Sequence, residues 1–181
     1  MKLEGCILYS GGVQGTEEEF GKQAQKLGIQ EVNFTFEGHK IKRKRGVRFL
    51  TKDELIKGDV SLSYVSKIMN RRYSSAPLFR KVLQSIWHQI NHANEVFVVG
   101  KILEDQTVKG GTGWGAEFAK ICNKTLFVFD QEYKAWFKWK SDSWKKETPK
   151  IHSKAFAGTG TRFINPAGKK AVQELFQKSF K

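Results

Sequence analysis

The sequence predicts an α/β fold, a three-layer sandwich with a mainly parallel sheet in the middle, on three observations. Two continuous apolar runs, Glu95–Gly100 (EVFVVG) and Thr125–Asp130 (TLFVFD), flank a helical segment from about Trp114 to Asn123. Strands covered on both faces read this way, and a helical crossover between them makes the pair parallel. Glycine stands at three strand-to-helix junctions, YSGGVQGTEEEF, KGGTGWGAEF and FAGTGTRF. The length of 181 residues suits one domain spanning the chain, large enough to bury its core without a disulfide or metal staple.

The remaining elements follow from periodicity and punctuation. GCILYS reads as a buried strand, with a helix from Thr16 to about Leu27 that Gly28 stops. EVNFTF alternates as a strand does. Thr51 and Glu54 have capping-box spacing, and Asp59 is placed to cap a helix running to about Arg72. After Pro77, Phe79, Val82, Leu83, Ile86, Trp87 and Ile90 recur at helical spacing, so one face is core. YKAWFKW and SWKKET, separated by KSD, predict a small β-hairpin. A short strand, Ala155 to Ala157, enters the loop Gly158 to Arg162. Asn165 then caps, and Pro166 opens, a helix whose apolar face is Ala171, Val172, Leu175, Phe176 and Phe180.

The charge narrows the choice of partner. Thirty-two Lys and Arg against 18 Asp and Glu give +14, an excess that favours a polyanion, nucleotide or nucleic acid. Six of the basic residues lie between Lys40 and Arg48, in HKIKRKRGVR. That stretch reads as a solvated edge, a phosphate-facing surface or a targeting signal. Cys6 and Cys122 form no paired motif and no zinc spacing, which fits a reducing compartment. No run approaches a membrane span, and MKLEGCILYSGG has no signal-peptide cleavage region. The expectation is a soluble, intracellular, cytoplasmic protein with no membrane partner and no cofactor.

In a parallel sheet all strand carboxyl ends share one rim, so three glycine loops at three strand ends can converge on one crevice. The first loop supplies Ser10, Gly11, Gly12, Gln14, Gly15 and Glu17; with Glu17, Glu18 and Glu19 in the first helical turn it suits sugar hydroxyls or a base and repels phosphate. The second, Gly110, Gly111, Thr112, Gly113 and Trp114, offers uncharged backbone donors at a helix N-terminus and can cradle phosphate. The third, Gly158, Thr159, Gly160, Thr161 and Arg162, adds hydroxyls and a guanidinium that can fork onto phosphate oxygens or pair with a surface carboxylate. Asp130 and Gln131, at the end of their strand, stand at the same rim and read either as base-edge partners or as a strand cap. His88 and His92 are four apart but lack a third ligand, so no metal site is expected. Trp136, Trp139 and Trp144, interleaved with lysines, fit core packing, a dimer interface or base stacking.

These motifs resemble the SLOG superfamily, which includes the Lonely-Guy phosphoribohydrolases and the DNA-processing protein A. GGTGWGAE is similar to its Gly-Gly-x-Gly-Thr-x-x-Glu signature, YSGGVQGTEEEF to its Ser-Gly-Gly-x-x-Gly-x-Asp loop, and FAGTGTR to the Gly-x-Gly-Ser-Arg turn that opens stand-alone members. The resemblance implies a Rossmann-like fold and a homodimer. Because the turn that usually comes first stands last here, it also implies circular permutation. It makes Glu117 the candidate catalytic residue. The arginine that Lonely-Guy enzymes pair with that glutamate falls at Ser85, Trp114 replaces the motif threonine, and Glu17 replaces the aspartate. The expected function is therefore binding of a nucleotide-type small molecule, with a nucleotide N-glycosidic hydrolase and a single-stranded nucleic-acid binder as alternatives.

Overall fold

The computed structural model describes residues 2–73 and 76–180. In chain order they form β1 (Ile7–Ser10), α1 (Thr16–Lys26), β2 (Gln30–Thr35), β3 (Val47–Phe49), α2 (Lys52–Ile56), α3 (Asp59–Ile68), α4 (Pro77–His92), β4 (Glu95–Gly100), α5 (Thr112–Ile121), β5 (Thr125–Asp130), β6 (Ala135–Lys140), β7 (Ser143–Lys146), β8 (Ala155–Gly160) and α6 (Pro166–Ser179). The strands make one eight-stranded sheet in the order β3-β2-β1-β8-β4-β5-β6-β7. It is parallel from β3 through β5 and ends in the antiparallel hairpin β6–β7. The last strand in sequence therefore occupies the middle of the sheet, between β1 and β4, as a permuted Rossmann-like fold requires.

Side-chain alternation along the central strands divides the core in two. On β4, Val96 and Val98 join the cluster formed with α3, α4 and α5. Phe97 and Val99 join the opposite cluster, formed with α1 and α6. This is why EVFVVG is apolar at every central position: both faces of the strand are covered. A third, smaller cluster of Phe34, Phe36, Leu50 and Leu55 closes the β2–β3 edge.

The hairpin finishes the other edge. Its turn residues Ser141 and Asp142 both take left-handed φ, 46° and 60°, as the tight turns of twisted hairpins do. Trp139 pairs across the strands with Trp144 at 5.0 Å between ring centroids, and the Lys120 ammonium lies 3.7 Å from the Trp139 centroid. Trp136 packs edge-on to Phe97 and Phe129. The tryptophans thus fasten the hairpin to α5 and to the sheet.

Several expected boundaries move. Asp59 is not a helix cap. It lies in the first turn of α3, after Gly58, and its carboxylate accepts from Tyr73, Arg80 and Gln84 at 2.6–2.7 Å, tying α3 to α4. That helix ends at Ile68, short of Arg72. β8 runs to Gly160, so Gly158, Thr159 and Gly160 belong to the strand and not to a loop. Gly158 is needed for packing: a Cβ there would stand 2.4 Å from the Phe20 ring on α1. The Thr51–Glu54 capping box and the Asn165 cap form as expected. Among the described residues no helix is long and apolar enough to cross a membrane.

The Phe20 contact yields a first prediction. Gly158→Ala should destabilise the chain by about 1–3 kcal/mol, read as a lower urea midpoint with an unchanged slope. A wild-type midpoint would show that α1 does not press on β8 as described.

Candidate functional site

In an open parallel sheet the ligand crevice forms where successive connections leave for opposite faces. Here that point lies between β8 and β4. The α1 connection and α6 lie on one face, α4 and α5 on the other. A cavity of about 690 Å³ opens at this place. All three glycine junctions reach its neighbourhood, but they contribute unequally.

The second junction builds one wall. Gly110, at φ 73°, turns the chain into α5 in a conformation a side chain would strain, and Gly110, Gly111 and Thr112 face the cavity. The N–H groups of Gly111 and Thr112 find no backbone acceptor among the described residues, so the positive end of the helix dipole opens onto the space. Gly113 and Trp114 lie beneath. A Cβ on Gly113 would be 2.0 Å from the Val108 carbonyl, and Trp114 packs in the core beside Tyr73.

The third junction builds the opposite wall with Thr159, Gly160, Thr161 and Arg162. Its backbone is pinned: Thr161 N–H donates to Val99 at 2.9 Å, and the Thr161 carbonyl accepts from the Thr16 N–H and hydroxyl at 3.1 and 2.9 Å. Gly15 makes this contact feasible, since a Cβ there would meet the Arg162 backbone at 2.5 Å. Arg162 is exposed and forms no ion pair with a carboxylate among the described residues, so it is not the surface-paired arginine that was the alternative reading.

The first junction mostly supports the other two. The Ser10 hydroxyl donates to the Gly158 carbonyl at 2.8 Å. Gly11 lies against Gln89 and Glu17. The Gly12 carbonyl accepts from the Lys42 and Arg43 N–H groups at 2.8 and 3.0 Å, so the basic segment folds back over this loop. Gln14 is exposed and off the cavity wall. From this stretch Val13 and Glu17 alone line the cavity.

Two further expected residues are occupied elsewhere. Glu117 is not on the cavity wall; its carboxylate pairs with Lys120 at 3.1 Å in the layer that holds Trp139 and Trp144. Asp130 is fully buried and accepts from the N–H groups of Ile102, Glu132 and Tyr133 at 2.7–3.0 Å, so it caps its strand. In the basic segment, Arg43 and Arg45 pair with buried Glu31, and Arg48 pairs with Glu54.

Other groups on the wall were not anticipated as site residues. From α4 come Phe79, Val82, Ser85, Ile86 and Gln89; from loops come His39, Lys101, Lys109 and Phe163, beside Gln131, which was expected at this rim. Gln89 is 1% exposed, and its Oε1 has no hydrogen-bond partner. His39 Nε2 is likewise unpartnered, while its Nδ1 lies 3.2 Å from the Thr35 hydroxyl and its ring stacks on Phe36. Ser85 stands where the SLOG resemblance puts an arginine, and it does face the cavity. These α4 residues read in sequence as part of an amphipathic helix; only tertiary placement shows that the helix borders a cavity from Phe79 to Gln89.

The sequence matches no protein-family model and no curated protein. Among solved structures the chain is similar to one described as a "putative molybdenum carrier protein" from Syntrophus aciditrophicus SB. The identity is 13%, with 94% of this chain and 92% of that chain covered, at a TM-score of 0.52. At that identity the likeness shows the shared Rossmann-like architecture and nothing narrower.

Electrostatics set the floor apart from the rim. Burial pushes the Glu17 carboxyl above the ordinary range, against the Val13 and Gly11 N–H groups, the Thr159 hydroxyl at 2.9 Å, and nearby Arg162. Burial, then the Arg162 charge, pushes His39 below the ordinary histidine value. Lys101 pairs with Glu132 at 2.7 Å, whereas Lys109 has no carboxylate partner among the described residues.

A carboxyl whose pKa is raised by folding adds stability below its unfolded value and loses it as pH rises through the folded value. Glu17→Gln cannot ionise. Wild type should therefore lose stability relative to Glu17→Gln as pH rises above the ordinary carboxyl value of about 4.3, measured by urea unfolding. Parallel profiles would contradict the assignment.

Proposed function

We propose that the protein binds a nucleotide, or a nucleotide-derived anion, in the cavity at the switch point. The observation that carries this reading is the grouping of unneutralised positive groups on its walls. Arg162 and Lys109, neither with a carboxylate partner among the described residues, share the cavity with the unpaired N–H groups at the start of α5. Isolated cations beside a helix N-terminus suit phosphate oxygens, with Arg162 able to donate two parallel bonds. The floor has a different chemistry. Ser85, Gln89, Thr159 and Glu17 are buried hydroxyl, amide and carboxyl groups, and the orphan Gln89 oxygen needs a donor such as a sugar hydroxyl.

The SLOG resemblance of the three glycine junctions supports the same reading, as does the fold. The solved structure of like architecture is described as a "putative molybdenum carrier protein", and a carrier role, whatever its cargo, needs binding without turnover. Glu117 away from the wall, and serine where the hydrolase pattern has arginine, favour retention of the ligand over cleavage of a glycosidic bond. The nucleic-acid alternative loses its main carriers, because Arg43, Arg45 and Arg48 are committed to Glu31 and Glu54, and Trp139 and Trp144 pack on Lys120.

The test is thermal shift and calorimetry with adenine and guanine nucleotides, a dinucleotide and pyrophosphate. At least one should raise the unfolding temperature, and Arg162→Ala should weaken it by about tenfold or more, the loss of one charge-assisted contact. A folded protein that none of these stabilises would refute the proposal.

A further inference from the structure

Two residues on the cavity wall stand out from its polar chemistry. Phe163 is 87% exposed and Phe79 is 41% exposed. They come from different elements, Phe79 from the first turn of α4 and Phe163 from the β8–α6 connection, yet both line the same space. Neither ring meets another aromatic ring or a cation among the described residues. An exposed aromatic on a floppy loop would be unremarked; Phe163 is different, because its backbone is fixed on every side. Its N–H donates to the Thr161 hydroxyl at 3.1 Å, its carbonyl accepts from Gln131 Nε2 at 3.3 Å, and Gln131 Oε1 accepts from the Asn165 N–H at 2.7 Å. The connection thus holds a phenyl ring out at the cavity with no aromatic or cationic partner among the described residues.

Phe79 is set on a helix. It lies in the turn that begins with Pro77, and its ring edge is 3.6 Å from the place a Cβ on Gly111 would take. The missing side chain at Gly111 leaves this ring beside the N–H groups that open onto the cavity. An apolar planar surface therefore stands next to the positive helix terminus, and a second stands on the loop that carries Arg162.

Resting on the nucleotide reading, the geometry points to a base clamp: Phe79 and Phe163 receive the heterocyclic ring of the ligand, while Gly111, Thr112, Lys109 and Arg162 hold its phosphates. Stacking on a phenyl face is open to every base, so this pair selects for an aromatic ring as such and leaves discrimination among bases to other groups. The ligand class is then a phosphorylated compound with an exposed planar heterocycle. Sugar phosphates and inorganic anions satisfy only half of the site.

The experiment compares two probes, pyrophosphate and the fluorescent nucleotide etheno-ADP, on wild type, Phe163→Ala, Phe79→Ala and Phe163→Tyr. Both phenylalanines are partly in solvent, and circular dichroism and the urea midpoint confirm that each variant is folded. Either alanine variant should weaken etheno-ADP by about tenfold or more, leave pyrophosphate unchanged, and reduce the fluorescence change on binding. Phe163→Tyr should retain wild-type affinity for both. Wild-type etheno-ADP affinity in both alanine variants would overturn the clamp and leave the anion site standing. Equal weakening of both probes would also overturn it, as the sign of a general disturbance of the cavity. If neither probe binds wild type, the nucleotide reading fails and the clamp with it.

Discussion

The position of β8 governs the rest of the structure. This strand takes the centre of the sheet, hydrogen-bonded in parallel to β1 on one side and β4 on the other. Its carboxyl end therefore emerges beside theirs, and connections leave this place for both faces. The cavity exists because of that divergence, and the walls are whatever follows the neighbouring strands. If β8 paired at an edge instead, the β8–α6 connection carrying Arg162 and Phe163 would lie away from the start of α5, and no common cavity would form. The close approaches at Gly158 against Phe20 and at Gly15 against the Arg162 backbone fix this arrangement from the α1 side.

The three glycine junctions, alike in sequence, divide the work. Those after β4 and β8 open onto the cavity. The one after β1 is filled from behind by the basic segment, whose Lys42 and Arg43 N–H groups take the Gly12 carbonyl, while the Arg43 side chain reaches Glu31 and the Gly21 carbonyl. A stretch with six basic residues is thus partly structural: its arginines neutralise buried or half-buried carboxylates, and a share of the large positive charge is already spent inside the fold.

Much of this was legible in the residues. Apolar runs at β4 and β5, the caps at Thr51 and Asn165, and the hairpin around Ser141 and Asp142 follow from local pattern, and the parallel sheet follows from their sequence of types. The common rim for the glycine loops follows from strand direction alone. What local pattern could not supply was which side of each loop faces the cavity. Trp114 and Gly113 lie one step past the cavity because α5 begins at Thr112, two residues earlier than periodicity suggested. Asp130 satisfies three N–H groups that come together only after folding. The α4 wall was missed because Phe79, Val82 and Ile86 have the spacing of core residues; Ile86 does belong to the core, yet the same side chains border a space that only the neighbouring elements create.

The account rests on a single anion site shared by the turns after β4 and β8. A crystal structure of the protein soaked with ADP tests it most directly. The account predicts phosphate oxygens within hydrogen-bond reach of the Gly111 and Thr112 N–H groups and of the Arg162 guanidinium at once. Phosphate bound instead to the lysines between Lys40 and Lys44, with the space between β4 and β8 holding only water, would contradict it.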